Sequence, residues 1–387
     1  MSFLTRIDSD EAWRREQFPV AANRVFLAHA AVTTLPRVVV EAMNAFNLEC
    51  GTGEADPTDV LLRRMDTVRE SAARLFPGAG PREIALLGPT SLGLSLVARG
   101  LDWRPGDEVI AYQDDYPANV YPWEDLERLG VRVVFLKPNR PGEITPELVA
   151  AALSPRTRLV ALASCHFLSG YRIDIDAIGR LAHENGALFC LDAIQTAGAF
   201  PVSVEHVDFM SADSHKWMLG PMTAGVFYVA ERHFETLRPA LLGAWNVKSP
   251  NFVAADRVEF EPGARRYEPG VLNASGLLGM KAAIDLLVEI GVETVSARIL
   301  SVKRALVEGV RESGHELIGP AEGAAASGIT TFTHEDRGRI PALAKRFAAE
   351  GVAVSFRQDR AGTPHIRLSP HFYNSAAEID RVLDLMG

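Results

Sequence analysis

The chain has 387 residues, 47% of them apolar, and a formal charge of −9 at pH 7 with Lys and Arg scattered rather than clustered. That length buries a sizeable core, divided between one large and one smaller domain, and that charge distribution excludes a nucleic-acid or membrane-surface role. Three cysteines, Cys50, Cys165 and Cys190, are too few and too scattered for a disulfide framework or a zinc site, so no metal is expected. Met1 to Gln17 mixes acidic and basic residues without the apolar centre of a signal peptide, and no run approaches 18 uninterrupted apolar residues. The chain is expected to be soluble and cytoplasmic.

From about Asn23 to Ala230 strand and helix signals alternate without a linker or an internal repeat, an α/β pattern. Gly88 to Leu94 opens a helix-like run to Gly100, and a helix N-terminus offers backbone N–H groups and a dipole to an anion. Thr90 and Ser91 fit such a cradle, and they fit an ordinary N-cap as well. Arg132 to Leu136 and Leu159 to Ala163 are runs of strand length. Asp174 to Asn185 has Asp at its start, Ile178 and Leu181 on one face and Gly186 just past its end, which predicts a helix. Ala187 to Leu191 reads as a buried parallel strand, Val207 to Ala212 as the next. After the stretch from Pro262 to Gly270 the pattern changes, with a helix-like run from Leu277 to Ile290 stopped by Gly291. Ser375 and Glu378 have capping-box spacing ahead of Ile379, Val382 and Leu383, which predicts a last helix. The division expected is a large domain over 18–262 and a small one over 263–387, with 1–17 packing nearby.

The chemistry concentrates at two charged residues 24 positions apart. Asp192 falls at the carboxyl end of its buried strand, where open α/β sheets put their ligands. Lys216 follows the next strand and so lies on the same edge of the sheet. Taken alone, Asp192 as a helix cap and Lys216 as a solvated residue is the plainer reading. A lysine amine can also condense with an aldehyde cofactor, provided that an anion keeps the cofactor's ring nitrogen protonated. Asp192 is placed to do that through a charge-assisted hydrogen bond, and Gln195 reaches the ring oxygen from the same turn.

The surrounding segments decide between these readings. Ser164-Cys165-His166-Phe167-Leu168-Ser169-Gly170-Tyr171-Arg172-Ile173-Asp174, Asp192-Ala193-Ile194-Gln195-Thr196-Ala197-Gly198, Ser214-His215-Lys216-Trp217 with Leu219-Gly220-Pro221, and Ile366-Arg367-Leu368-Ser369-Pro370-His371-Phe372-Tyr373-Asn374 occur in this order. Together they resemble class V aminotransferases, the group that includes cysteine desulfurases, kynureninases and isopenicillin N epimerase-like proteins. The resemblance implies the fold-type I architecture: a large domain with a mostly parallel seven-stranded sheet and a smaller α+β domain. It also implies pyridoxal 5'-phosphate as cofactor, Lys216 as the Schiff-base residue and Asp192 as the partner of the ring nitrogen. Thr90, Ser91, Asp213 and His215 become cofactor-binding residues, Tyr116 of the Asp115-to-Trp123 loop the stacking ring, and Arg367 the holder of the substrate carboxylate. A homodimer is implied as well, with the loop around Gly270 reaching the partner and Val271 standing where Thr or Ser is common.

Departures from the family narrow the reaction. Val354 to Gly362, the stretch that carries a loop cysteine in desulfurases, has none, so persulfide transfer to the enzyme is not expected. Phe167 replaces the Asn that desulfurases place near the ring oxygen, and Asn119 stands where kynureninases are acidic. The nominal expectation is transamination of an amino acid or derivative through Lys216. Epimerisation and Cβ-directed lysis, kynureninase-like or cysteine lyase-like, are the alternatives, and a non-catalytic cofactor-binding regulator is the remote one. His29, Trp245, Asn246 and Arg357 are further candidates for the substrate pocket.

Overall fold

The computed structural model describes residues 2–54 and 57–387. Its thirteen strands are β1 (Val25–Phe26), β2 (Ile84–Leu87), β3 (Glu108–Ala111), β4 (Arg132–Phe135), β5 (Thr157–Ala163), β6 (Leu188–Asp192), β7 (Phe209–Asp213), β8 (Gly225–Val229), β9 (Glu316–Leu317), β10 (Thr330–Thr333), β11 (Val352–Ala353), β12 (Ser355–Gln358) and β13 (Pro364–Leu368). Seven form one sheet in the order β2-β8-β7-β6-β5-β3-β4. Every neighbouring pair in it is parallel except those made by β8, which runs against both β2 and β7. This is the mostly parallel seven-stranded sheet expected of fold type I. Its strands read as continuous apolar runs because helices cover both faces: Ile110, Leu162 and Leu191 pack into one core, Val109, Leu159 and Cys190 into the other.

The predicted helices form, with caps that explain their limits. Asp174 caps helix Ile175–Glu184 by accepting from Ala177 N, and Ser375 and Glu378 complete the capping box of helix Ala376–Asp384. A second sheet, antiparallel in the order β12-β13-β10-β9, carries its own core of Phe332, Ile366, Leu306, Phe347 and Val382. The start of the chain joins this second unit. β1 pairs in parallel with β11, and Val25 and Leu27 lie in the same core. Arg14 is buried against the Tyr373 carbonyl and the Glu378 carboxylate, and Phe18 stacks on Tyr373. Helix Thr90–Gly100 is brought tight onto β7 at Gly93, where a Cβ would stand 2.4 Å from Ser211 Oγ. That close approach sets the helix N-terminus beside the carboxyl ends of β6 and β7. Among the described residues no helix is long and apolar enough to cross a membrane.

Candidate active site

A cavity of about 540 Å3 opens at the carboxyl ends of β6 and β7 and is closed from the other side by β12 and β13. Its wall contains Thr90, Ser91, Tyr116, Asp192, Gln195, His215, Lys216 and Arg367, so eight of the nine residues expected from the sequence converge here. The ninth, Asp213, is set behind the wall. Its carboxylate lies 3.0 Å from His215 Nδ1 and accepts from Thr223 N at 3.2 Å, so it orients His215 rather than facing the cavity.

The charged groups of this wall are buried and under-partnered. Asp192 ends β6 at 4% exposure, and one oxygen accepts from Ile194 N at 3.0 Å. Burial raises its pKa, with the Ile194 hydrogen bond and the Lys216 charge pulling the other way. Lys216 is almost fully enclosed and makes no ion pair or side-chain hydrogen bond among the described residues. Burial lowers its ammonium to about 8 against the attraction of Asp192. Tyr116 stands near it, with the ring centroid 5.3 Å from Lys216 Nζ and edge-on to Phe167 at 5.7 Å. Gln195 is fixed by the Trp217 indole N–H on its oxygen at 2.9 Å and by one N–H donated to the Ala30 carbonyl at 3.2 Å. One amide N–H of Gln195 is left for a ligand.

Opposite, β13 presents Arg367, 1% exposed, which donates to the Phe167 carbonyl and has a buried Nε without a partner. Burial, with the neighbouring charge of Arg357, lowers its guanidinium to about 9. A guanidinium that is buried and short of acceptors is built to receive an anion. Arg357 joins it on the wall from β12. Register pairs Arg367 with Ser355 and Arg357 with His365, and alternation along each strand puts both arginines on one face. Of the other candidates, His29 is not on the wall: its ring nitrogens lie against the Ser369 carbonyl and the Tyr373 hydroxyl. Asn246 is spent on the Leu241 and Arg266 carbonyls, and Trp245 is likewise absent from the wall. Ala30, Ala31 and Val32, which close one side, were not singled out from the sequence; small apolar residues before a helix carry no chemical signal.

Helix Thr90–Gly100 completes the set. Thr90 Oγ1 accepts from Asp213 N at 2.8 Å, which pins the first turn to β7 and leaves the first N–H groups and the Ser91 hydroxyl toward the cavity. An anion-binding cradle beside His215, an amine, a carboxylate short of one donor and an aromatic ring fit pyridoxal 5'-phosphate group by group: phosphate, aldehyde, ring nitrogen and ring face.

Comparison with known proteins agrees with this geometry. The family model described as Aminotransferase class-V matches residues 25–382. A probable cysteine desulfurase of Methanothermobacter thermautotrophicus is 29% identical over 94% of each chain. Isopenicillin N epimerase of Streptomyces clavuligerus is 27% identical over 91% of each. The apo structure of a cysteine desulfurase from Thermococcus onnurineus NA1 shares the fold with a TM-score of 0.88 and 24% identity, covering 97% of both chains.

Proposed function

The chain belongs to the class V aminotransferase family and works with pyridoxal 5'-phosphate, and from that premise we propose that it is a lyase that breaks the Cβ–S bond of a cysteine-type amino acid. When bound, the cofactor supplies an electron-withdrawing ring that makes the Cα proton removable and a Cβ substituent expellable. Asp192 holds the ring-nitrogen proton, Ser91, His215 and the N–H groups following Thr90 hold the phosphate, Gln195 donates to the ring oxygen, and Tyr116 covers one face. Lys216 provides the tethering amine and then the base. With its ammonium lowered to about 8, a useful fraction is neutral near neutrality and ready to take the Cα proton on Nζ. Arg367 holds the α-carboxylate.

The nominal transamination read from the sequence gives way to elimination for one reason: whole-length likeness to a probable cysteine desulfurase is combined with a cavity wall that contains no thiol. Cys50 is exposed on helix Arg37–Thr52, while Cys165 and Cys190 are buried, and burial pushes the Cys165 thiol up to about 11. None of the three is placed to take sulfur. The sulfur therefore leaves with the electron pair of the broken Cβ–S bond, as sulfide from cysteine or as a persulfide from a disulfide substrate. The Cα proton passes to Lys216, a Cα=Cβ bond forms, and the released enamine hydrolyses to pyruvate and ammonia.

The enzyme is proposed to be a homodimer. Val32 on the cavity wall, Met222, Leu242 and Val271 are all more than 40% exposed, apolar area that a second copy would cover. The function is tested by reconstituting the protein with pyridoxal phosphate and supplying L-cysteine, L-cystine, L-alanine and L-glutamate. Pyruvate released in step with sulfide or persulfide is the expected result. Amino transfer to a keto acid, or inversion at Cα without pyruvate, would overturn the proposal in favour of a transaminase or an epimerase.

A further inference from the structure

Tyr116 is 49% exposed, its hydroxyl makes no hydrogen bond among the described residues, and its ring is held from its own side by an edge contact with Phe167 and the approach of Lys216 Nζ. A further restraint lies beneath. Asp115 is buried, and its Oδ1 accepts the Tyr116 backbone N–H at 2.7 Å. Its Oδ2 accepts from Asn119 Nδ2 at 3.1 Å, and Asn119 Oδ1 in turn accepts from the indole N–H of the buried Trp123 at 3.0 Å. The indole is anchored in the core among Val97, Leu126 and Val109. The chain of bonds has a direction. Indole donates to amide, amide donates to carboxylate, and the backbone of Tyr116 donates to the same carboxylate from the other side. Turning the Asn119 amide over would set two donors against each other at Trp123.

We propose that Asp115 is the positioning residue for Tyr116, the group at which two donor chains meet and through which the buried Trp123 sets the ring's pitch over the cofactor. The inference rests on the reading of Tyr116 as the ring that covers the cofactor face. It explains why a carboxylate is buried here, close to the charge of Asp192, where a neutral turn residue would be easier to enclose. Only a carboxylate presents two acceptors at this spacing. Asparagine at 115 would offer one acceptor and turn a donor toward the donor of Asn119, leaving a buried group unsatisfied.

The test is an exchange of the two side chains. Asp115→Asn is expected to weaken the circular dichroism of the bound cofactor and to speed cofactor dissociation about tenfold, the effect of losing one buried hydrogen bond worth roughly 1.4 kcal/mol. Asn119→Asp sets two carboxylates together and is expected to do at least as much. The double variant, Asp115→Asn with Asn119→Asp, gives every donor an acceptor again. The introduced carboxylate accepts from Trp123 and from the introduced amide, whose oxygen takes the Tyr116 N–H. It is expected to recover most of the dichroism and the slow dissociation. Trp123→Phe, which removes only the far donor, is expected to shift the dichroism in the same direction by less, and it decides the matter if the double variant does not fold.

Tyr116→Ala separates the two levels of the reading. If it leaves the dichroism untouched, the assignment of Tyr116 fails. If it alters the dichroism while Asp115→Asn does not, or if a folded double variant stays as poor as the worse single one, the positioning role of Asp115 is overturned and the lyase reading stands.

Discussion

Two aspartates on adjacent strands of the large sheet share nearly the same burial and have opposite electrostatics. Asp208 precedes β7 at the amino ends of the strands and is 1% exposed. One oxygen lies 2.6 Å from Arg232 Nη2 and 2.7 Å from His233 Nε2, and the other lies 2.8 Å from Phe189 N and 2.9 Å from His183 Nε2. Burial opposes its charge, yet the hydrogen bonds of His233, Phe189 N and His183 outweigh burial and hold the carboxyl below the usual range. Asp192, at the carboxyl end of β6, has Ile194 N and the more distant charge of Lys216, and its pKa is raised. The chain satisfies one carboxylate completely and leaves the other short. A buried group that the protein does not satisfy is held ready for something that does.

The sharpest way to break this comparison is to remove the cation on the unsatisfied side. Lys216→Ala is expected to abolish the visible absorption of the reconstituted protein and to lower pyruvate release by about 10²- to 10⁴-fold or more, the usual range for a lost acid–base group. A retained visible band would mean that the amine which binds the cofactor is another one.

The two aspartates themselves give the next test, because identical substitutions should have opposite consequences. Asp208→Asn takes acceptor capacity and charge from four donors and is expected to lower the unfolding free energy of the apoprotein by about 3 kcal/mol in urea titrations, with the cofactor spectrum unchanged. Asp192→Asn is expected to leave that free energy unchanged or raised, since it removes a buried charge short of partners. Turnover should fall roughly 100-fold, the effect of about 2.7 kcal/mol lost at the ring nitrogen. Similar stability losses in both variants would erase the distinction between scaffold and site.

Acidity should separate the same regions with opposite signs. Asp208 has a folded pKa below its unfolded value, so its stabilisation is present above about 4 and is lost as the pH falls. Burial and the charge of Asp192 raise Asp115 to about 7, so the stability that protonation of this carboxyl adds is present below about 4 and is lost as the pH rises through 7, where the two-acceptor carboxylate forms. Between pH 5 and 7 the apoprotein should therefore lose about 2 kcal/mol relative to Asp115→Asn. Urea titrations of both proteins at the two pH values measure this directly, and parallel pH dependences would show that Asp115 is not the titrating group.

The contrast between these regions also marks what the sequence made legible. Asp192 and Lys216 were legible as a site only through the segments around them, since at the ends of their strands a helix cap and a solvated lysine are ordinary structural uses of the two charges. Capped helices such as Ile175–Glu184 and Ala376–Asp384 were readable from local chemistry alone. Asp208 was not singled out, because its donors His183, Arg232 and His233 converge only through tertiary packing. Asp213 was placed in the cofactor set, and its turn toward His215 and Thr223 depends on the hairpin between β7 and β8. The pairing of β1 with β11 joins residues more than 300 positions apart, which no local pattern encodes.

Arg357 is the smallest and most selective of these tests. Its side chain donates to the Phe356 carbonyl at 3.1 Å and forms no ion pair within 4 Å among the described residues, while its charge lowers both Lys216 and Arg367. In the proposed reading Arg367 serves one carboxylate, so a second guanidinium on the same strand face would provide for a second anionic end. Arg357→Gln is therefore expected to raise the KM for L-cystine, which carries two carboxylates, about tenfold, equivalent to about 1.4 kcal/mol. The KM for L-cysteine, with one carboxylate, should move much less. Initial-rate measurements of pyruvate release with the two substrates give the ratio. Equal shifts for both would place Arg357 with Arg367 in holding the α-carboxylate, and the unsatisfied region would then contain one anion site rather than two.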